Sequence, residues 1–132
     1  MFDRLSVYQP QVLAVLRIMT ALLFIEHGTQ KFFDFPAAAQ PFGNLMNLTG
    51  LAGLLEIGGG LLVLVGLFTR PVAFVLCGFM AVAYFMAHAP QSFFPVNNRG
   101  DAAILFCFVF LYLTAAGPGA FALDNKRRQS AS

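Results

Sequence analysis

The sequence has no tryptophan, and only 11% of its residues are charged, where a soluble domain carries about a quarter. With so little charge it cannot face water on all sides. Cysteine is nearly absent. Cys77 and Cys107 stand apart in apolar runs with neither CxxC nor metal-ligand spacing, so they report no redox compartment. A net charge of +2, scattered along the chain, excludes nucleic acid as a partner. Long repeats and low-complexity tracts are also missing.

What is present is apolar surface. Hydrophobic residues make up 58% of the 132, with 16 Phe among them, and the mean hydropathy is +0.73, which fits helices dressed in apolar side chains. Four runs read as spanning helices, which take roughly 17–25 residues. The first, 12–33, closes at Asp34-Phe35-Pro36; the second, 46–68, ends at Thr69-Arg70-Pro71. The third, 71–89, opens on Pro71, a good first helical residue, and halts before Pro90. The fourth and shortest, 101–116, is stopped by Gly117-Pro118-Gly119. The first run is broken early by Arg17 and followed by no small-residue cleavage site, so it reads as a retained helix and not a signal peptide. The expected fold is an all-α membrane protein, a single domain built as a four-transmembrane-helix bundle. Its second and third helices form an antiparallel hairpin, and 124–132 is a frayed polar tail.

The Lys and Arg distribution sets the expected orientation. Arg4, Arg70, Lys126, Arg127 and Arg128 fall on one side, with Arg17 just inside the membrane there; only Lys31 and Arg99 fall on the other. The first side reads as cytoplasmic. Both termini are then inside, and the connections 34–45 and 90–100 face outward, in a bacterium into the periplasm.

Polar residues within the spans are costly, at about 2.5–3.5 kcal/mol for a charge near the bilayer centre, and need a reason. Helical spacing puts Arg17, Thr20, Ala21, Phe24, His27/Gly28 and Lys31 on one face, with Glu26 nearly opposite. Glu56 shares a face with Ala52, Gly53, Gly59, Gly60 and Val63, the small residues on which membrane helices approach closely. Cys77, Ala81, Tyr84 and His88 align in the third helix, and Asp101, Leu105, Phe108 and Tyr112 in the fourth. Depth counted along straight helices places Glu26, His27 and His88 in the outer half, Lys31, Arg99 and Asp101 near the outer surface, and Glu56 near the midplane. The expected site is a polar pocket opening outward and narrowing to Glu56, which is either paired with Arg17 or protonated.

Plainer readings stand beside these. Arg17 can snorkel to the interface, and Lys31, Arg99 and Asp101 can be interfacial anchors or a surface ion pair. His88 can bond a helix-end carbonyl. His27 and His88 without a third ligand make a poor metal site, and none is assigned. Tyr84, Tyr112 and the Phe residues can be packing or lipid-facing. Cys77 and Cys107 count to different depths, which argues against a disulfide between them.

The same residues carry a resemblance. Arg17 followed by His27-Gly28-Thr29-Gln30-Lys31-Phe32 is similar to the opening signature of the DoxX family, and Glu56-Ile57-Gly58-Gly59-Gly60 with Gly66-Leu67-Phe68-Thr69-Arg70 to its second. The turn Asn97 to Asp101 resembles its N-x-G-E segment, and Gly117-Pro118-Gly119 through Asp124 its G-P-G-x-x-S-x-D close. Asp101 and Ala122 depart from the family's usual Glu and Ser. The resemblance implies a four-helix inner-membrane protein. Its namesake is a membrane subunit of a thiosulfate:quinone oxidoreductase, and some relatives are linked to oxidative-stress complexes with soluble redox enzymes.

Three functions follow as expectations. The first is a redox-linked membrane subunit, with quinone as its candidate cofactor. There Lys31, Arg99, His27 and His88 would hold an anionic or carbonyl group, Arg17, Glu26, Tyr84 and Asp101 would complete the pocket, and Glu56 would handle a proton. The partners are then lipid and soluble or membrane redox proteins. At most, the chain is a subunit of an oxidoreductase complex. The second is a non-catalytic anchor or assembly protein held by an Arg17–Glu56 pair. The third is a proton or solute conduit, working as a homo-oligomer.

Overall fold

Helix limits in this chain follow from its capping residues. The structure, a computed structural model, describes residues 1–38 and 46–132, so the expected connection 34–45 falls outside the described residues from 39 onward. After a 3-10 turn at Phe2–Tyr8, helix α1 spans Gln9–Phe33 with Pro10 in its first turn, where a missing N–H costs nothing. It stops where Asp34 turns left-handed. Helix α2, Leu48–Val65, is capped by Asn47, whose side chain accepts from the Thr49 amide at 2.9 Å, and ends at Gly66 (φ 70°). These caps make α2 shorter at both ends than the expected 46–68.

Helix α3, Thr69–Ala83, continues through a π-helical turn, Tyr84–His88, and a 3-10 turn, Ala89–Gln91. It starts before Pro71, which sits in the first turn. A short turn, α4 (Pro95–Asn98), leads to α5, Asp101–Ala116, whose limits coincide with the expected ones. The frayed tail is corrected: Leu123–Ala131 form a helix, α6, whose start is pinned by contacts made elsewhere in the fold. No strand occurs among the described residues. Among the described residues three segments, Phe2–Phe33, Leu48–Val65 and Thr69–Gln91, are long and apolar enough to cross a membrane. Helix α5 is apolar but has 16 residues, so its length of about 24 Å falls short of the ~30 Å hydrocarbon layer. Large apolar side chains point outward along these helices, with Leu54 64%, Phe74 66% and Phe108 61% exposed. Such surface suits lipid and not water.

The residues form two compact units, Met1–Thr69 with Pro118–Ser132, and Arg70–Gly117. In the first, α1 and α2 run antiparallel at close quarters. A Cβ added to Gly53 would lie 2.5 Å from the Phe32 ring, and one on Gly60 2.5 Å from Ile25. One on Gly28 would lie 2.6 Å from Ile57 and 2.9 Å from the Gly53 carbonyl oxygen. That oxygen belongs to a helix backbone and cannot swing away. We therefore expect Gly28→Ala to destabilise by about 1–3 kcal/mol through overpacking. Gly58→Ala, with nothing within 4 Å of its added methyl, should instead stabilise by up to about 1 kcal/mol through helix propensity. Unfolding of both variants in detergent by SDS titration checks the pair, and equal effects would show that the α1–α2 approach is not tight.

In the second unit α3 and α5 run antiparallel. Arg70 Nη1 donates to the carbonyls of Thr114 and Ala115 at the end of α5, Cys77 Sγ lies 3.7 Å from Cys107 Sγ, and the Tyr84 ring abuts Gly100. The expected difference in depth between the cysteines is thus corrected. Helix α3 runs on past Tyr84 beyond the start of α5, so counting from residues 89 and 101 as equal levels misplaces one thiol.

Candidate functional site

The glycines of α2 bring its backbone against α1 and fix which side chains share a level. Glu56 lies abreast of Gly28, one turn from Lys31. Lys31 Nζ donates to both Glu56 carboxylate oxygens, at 2.8 and 3.0 Å, and to the His27 carbonyl at 3.4 Å. The two side chains are 15% and 8% exposed, so the pair is screened from its surroundings yet touches the surface. Exposed Glu26 and His27 precede it on α1. His27 does not share the buried face, which passes through Gly28.

Arg17 is not the partner of Glu56. From Arg17 to the level of Gly28 is about three helical turns, ~16 Å, beyond the reach of a guanidinium. Nor does it snorkel: it is fully buried. It serves an irregular segment after α5. Its Nη1 donates to the carbonyls of Pro118 and Ala120, the latter at 3.1 Å, and its Nη2 to Phe121 at 3.0 Å. The Gly119 carbonyl accepts from the Asn125 side chain at 2.8 Å, and that of Ala122 from the Asn125 amide at 3.2 Å. Every carbonyl from 118 to 122 thus has a donor, as non-helical backbone in an apolar setting requires.

Glycine is needed twice here. Gly119 (φ 74°) passes so close to α1 that a Cβ would lie 2.6 Å from the Pro10 carbonyl oxygen, and Gly66 (φ 70°) leaves no room for one beside Ala122. Asp124 then accepts from the amides of Phe68 (2.8 Å) and Thr69 (2.9 Å), and its own amide donates to the Gly66 carbonyl at 2.9 Å. Partial burial pushes its carboxyl up, but the Thr69 and Phe68 amides, with Arg127 nearby, outweigh this and hold it below the usual aspartate range. Arg127 also covers the Phe68 ring, 4.4 Å from its centroid. An open groove of about 750 Å³ runs beside α6, lined by Val65, Phe121, Leu123, Asn125, Lys126 and Gln129.

In the second unit a polar cluster forms around Asn98, which is fully buried. Its side-chain amide donates to Tyr84 Oη at 3.1 Å and to the Ser92 carbonyl at 2.9 Å, and its Oδ1 accepts from the Gly100 amide at 2.8 Å. His88 Nδ1 donates to the Asn98 carbonyl at 2.9 Å, with its ring nearly parallel to that of Tyr84. Arg99, with φ 60°, and Asp101 are exposed. The residues that align along α5, Asp101, Leu105, Phe108 and Tyr112, do not form its buried face. All four are exposed, and the buried face of α5 is Ala103, Phe106, Phe110 and Leu113.

The sequence-derived candidates therefore divide. Arg17, Lys31 and Glu56 lie in the first unit, but as two separate clusters; Tyr84 and His88 join Asn98 in the second. Asn98, Arg70 and Asp124 are anchoring residues to which spacing assigned no role. The available signal was that each polar side chain stands close to a turn glycine.

The DoxX family model matches residues 12–89. The chain is 45% identical to an uncharacterized protein of Haemophilus influenzae, over 94% of this chain and 96% of that one. It is 32% identical to the inner membrane protein YqjF of Escherichia coli, over 84% of this chain and 88% of that one. To the inner membrane protein YphA of the same organism it is 27% identical, over 89% and 91% of the two chains. No solved structure matches it. With more than half its length matched by the family model, and with several helices apolar enough to span a bilayer, this multi-pass inner-membrane protein belongs to the DoxX family.

Proposed function

We propose that the chain is the membrane subunit or partner of a redox system, quinone- or sulfur-linked, and that its ligand-contacting group is the Lys31–Glu56 pair. In this reading it works as one four-span domain with both termini in the cytoplasm and the Lys31 end facing outward. The observation that carries it is the two-pronged contact of Lys31 with Glu56, at 2.8 and 3.0 Å, between side chains that keep a little exposed surface. A paired ammonium and carboxylate in a low dielectric are strongly coupled, so a carbonyl or anionic oxygen arriving at Lys31 shifts the proton balance of Glu56. Lys31 suits the holding of such an oxygen, and Glu56 suits keeping or passing the accompanying proton. A quinone bound there supplies the two-electron chemistry; this chain supplies position, proton and a dry setting.

The test is mass spectrometry of organic extracts from gently purified wild type and from Glu56→Gln. A quinone-like or sulfur-containing molecule retained by the wild type and reduced at least tenfold in the folded variant is the expected result. Equal retention by both would remove Glu56 from the ligand's surroundings.

A second reading, an anchor or assembly protein without chemistry, is favoured by Arg17. Its three carbonyl contacts commit that cation to architecture. Absence of any small molecule, together with a protein partner that co-purifies equally with both chains, would establish it in place of the first.

A further inference from the structure

We propose that Cys77 and Cys107 are a two-electron thiol pair that reduces organic hydroperoxides dissolved in the bilayer, becoming an intramolecular disulfide. The pair lies in the second unit and does not depend on the reading of Lys31 and Glu56.

The geometry is specific. Cys77, on α3, and Cys107, on α5, face each other with their sulfurs 3.7 Å apart and both partly exposed. Closing that gap to the ~2.05 Å of an S–S bond moves each sulfur by less than about 1 Å, within the reach of small side-chain rotations. The antiparallel register is held at both ends, by Arg70 on the carbonyls of Thr114 and Ala115 and by Tyr84 against Gly100 and Asn98. The thiols are therefore presented to each other by a braced frame. A buried cysteine usually serves as a small apolar filler. Two of them meeting sulfur to sulfur supply what one does not, an attacking thiol with a resolving thiol beside it.

The surroundings select the oxidant. The α3–α5 faces around the pair are apolar, with Phe74 and Phe108 turned outward, so the oxidant is one that dissolves among acyl chains. A hydroperoxide on an alkyl or acyl chain does so. In the first step one sulfur attacks the terminal peroxide oxygen, the O–O bond breaks, and the leaving alkoxide takes up the thiol proton as an alcohol. This gives a sulfenic acid. The second thiol then attacks that sulfur, the S–S bond forms, and the hydroxyl leaves with the second proton as water. The sum is two thiols and one hydroperoxide to one disulfide, one alcohol and one water. A thiol reductant returns the pair to its starting state.

The test uses the full chain in liposomes, with cumene hydroperoxide as the probe. After treatment, mass spectrometry should show a chain lighter by about 2 Da for the two lost hydrogens, with maleimide labelling falling from two sites to none. One cumyl alcohol should appear per chain, and dithiothreitol should restore both labels. Cys77→Ser and Cys107→Ser, small changes on partly exposed helix faces, should each abolish the 2 Da loss. Two thiols that still label fully, when a lipid-linked thiol in the same vesicles has been oxidised, would overturn the proposal. Oxidation of one sulfur to sulfinic acid beside a free partner, or a bond between chains in place of one within the chain, would overturn it equally.

Discussion

Arg17→Met should destabilise the protein by at least about 3 kcal/mol, since three carbonyl oxygens each lose a donor at about 1–3 kcal/mol. The side chain is fully buried and serves the carbonyls of Pro118, Ala120 and Phe121. Methionine fills much of the volume and supplies no donor, so three acceptors lose a charge-assisted bond at once, in surroundings where water does not replace it. Arg17→Lys should recover only part of the loss, because an ammonium on a shorter stem lacks the planar fork that reaches three oxygens. SDS titration in mild detergent reads the stability. Limited proteolysis adds a local readout: the loss should fall first on the segment after Gly117, freeing α6 for cleavage while α1 and α2 still pack. If Arg17→Met unfolds at the wild-type midpoint with its C-terminal segment protected, the carbonyl contacts do not hold that segment.

The second large effect is expected at Glu56. Glu56→Gln leaves the Lys31 ammonium facing a neutral amide in a side chain only 15% exposed, and should cost about 3 kcal/mol. The double change Lys31→Met with Glu56→Leu should return stability to within about 1 kcal/mol of wild type, because both desolvation penalties vanish along with the attraction. The two residues touch, so their effects are not additive, and the size of the coupling measures the pair. The double variant also separates chemistry from architecture. If the pair holds a ligand, this well-folded chain should lose it. A double variant as unstable as Glu56→Gln would show that the carboxylate has a structural role beyond neutralising Lys31.

Much of the fold was legible because apolar runs here are punctuated by strong stop signals. Asp101 and Gly117 bound α5 as expected, and Asp34 ends α1. The inward face of α2 was marked by its glycines. The partner of Glu56 was not legible. Helix-by-helix counting treats all spans as level, whereas the α1–α2 register sets Glu56 beside Gly28 and lets the long Lys31 stem reach back to it. The same error separated the two cysteines. The orientation of α5 was hidden for another reason: a helix apolar all round carries no periodic contrast to say which side is buried. Helix α6 was missed because its nine residues are polar and too few to be stable alone; it depends on Asp124 and Ala122 meeting the turn at Gly66 to Thr69.

The distance along the chain between Arg17 and its acceptors bears on how the protein is made. The guanidinium enters the membrane with the first helix, but the carbonyls that satisfy it lie 101, 103 and 104 residues later. During synthesis, therefore, the first helix carries an uncompensated cation until the remaining helices have been delivered and the stretch from Pro118 to Phe121 has emerged. Without that stretch the guanidinium has none of these three acceptors. The burial of Arg17 is thus tied in time to the arrival of residues 118–121.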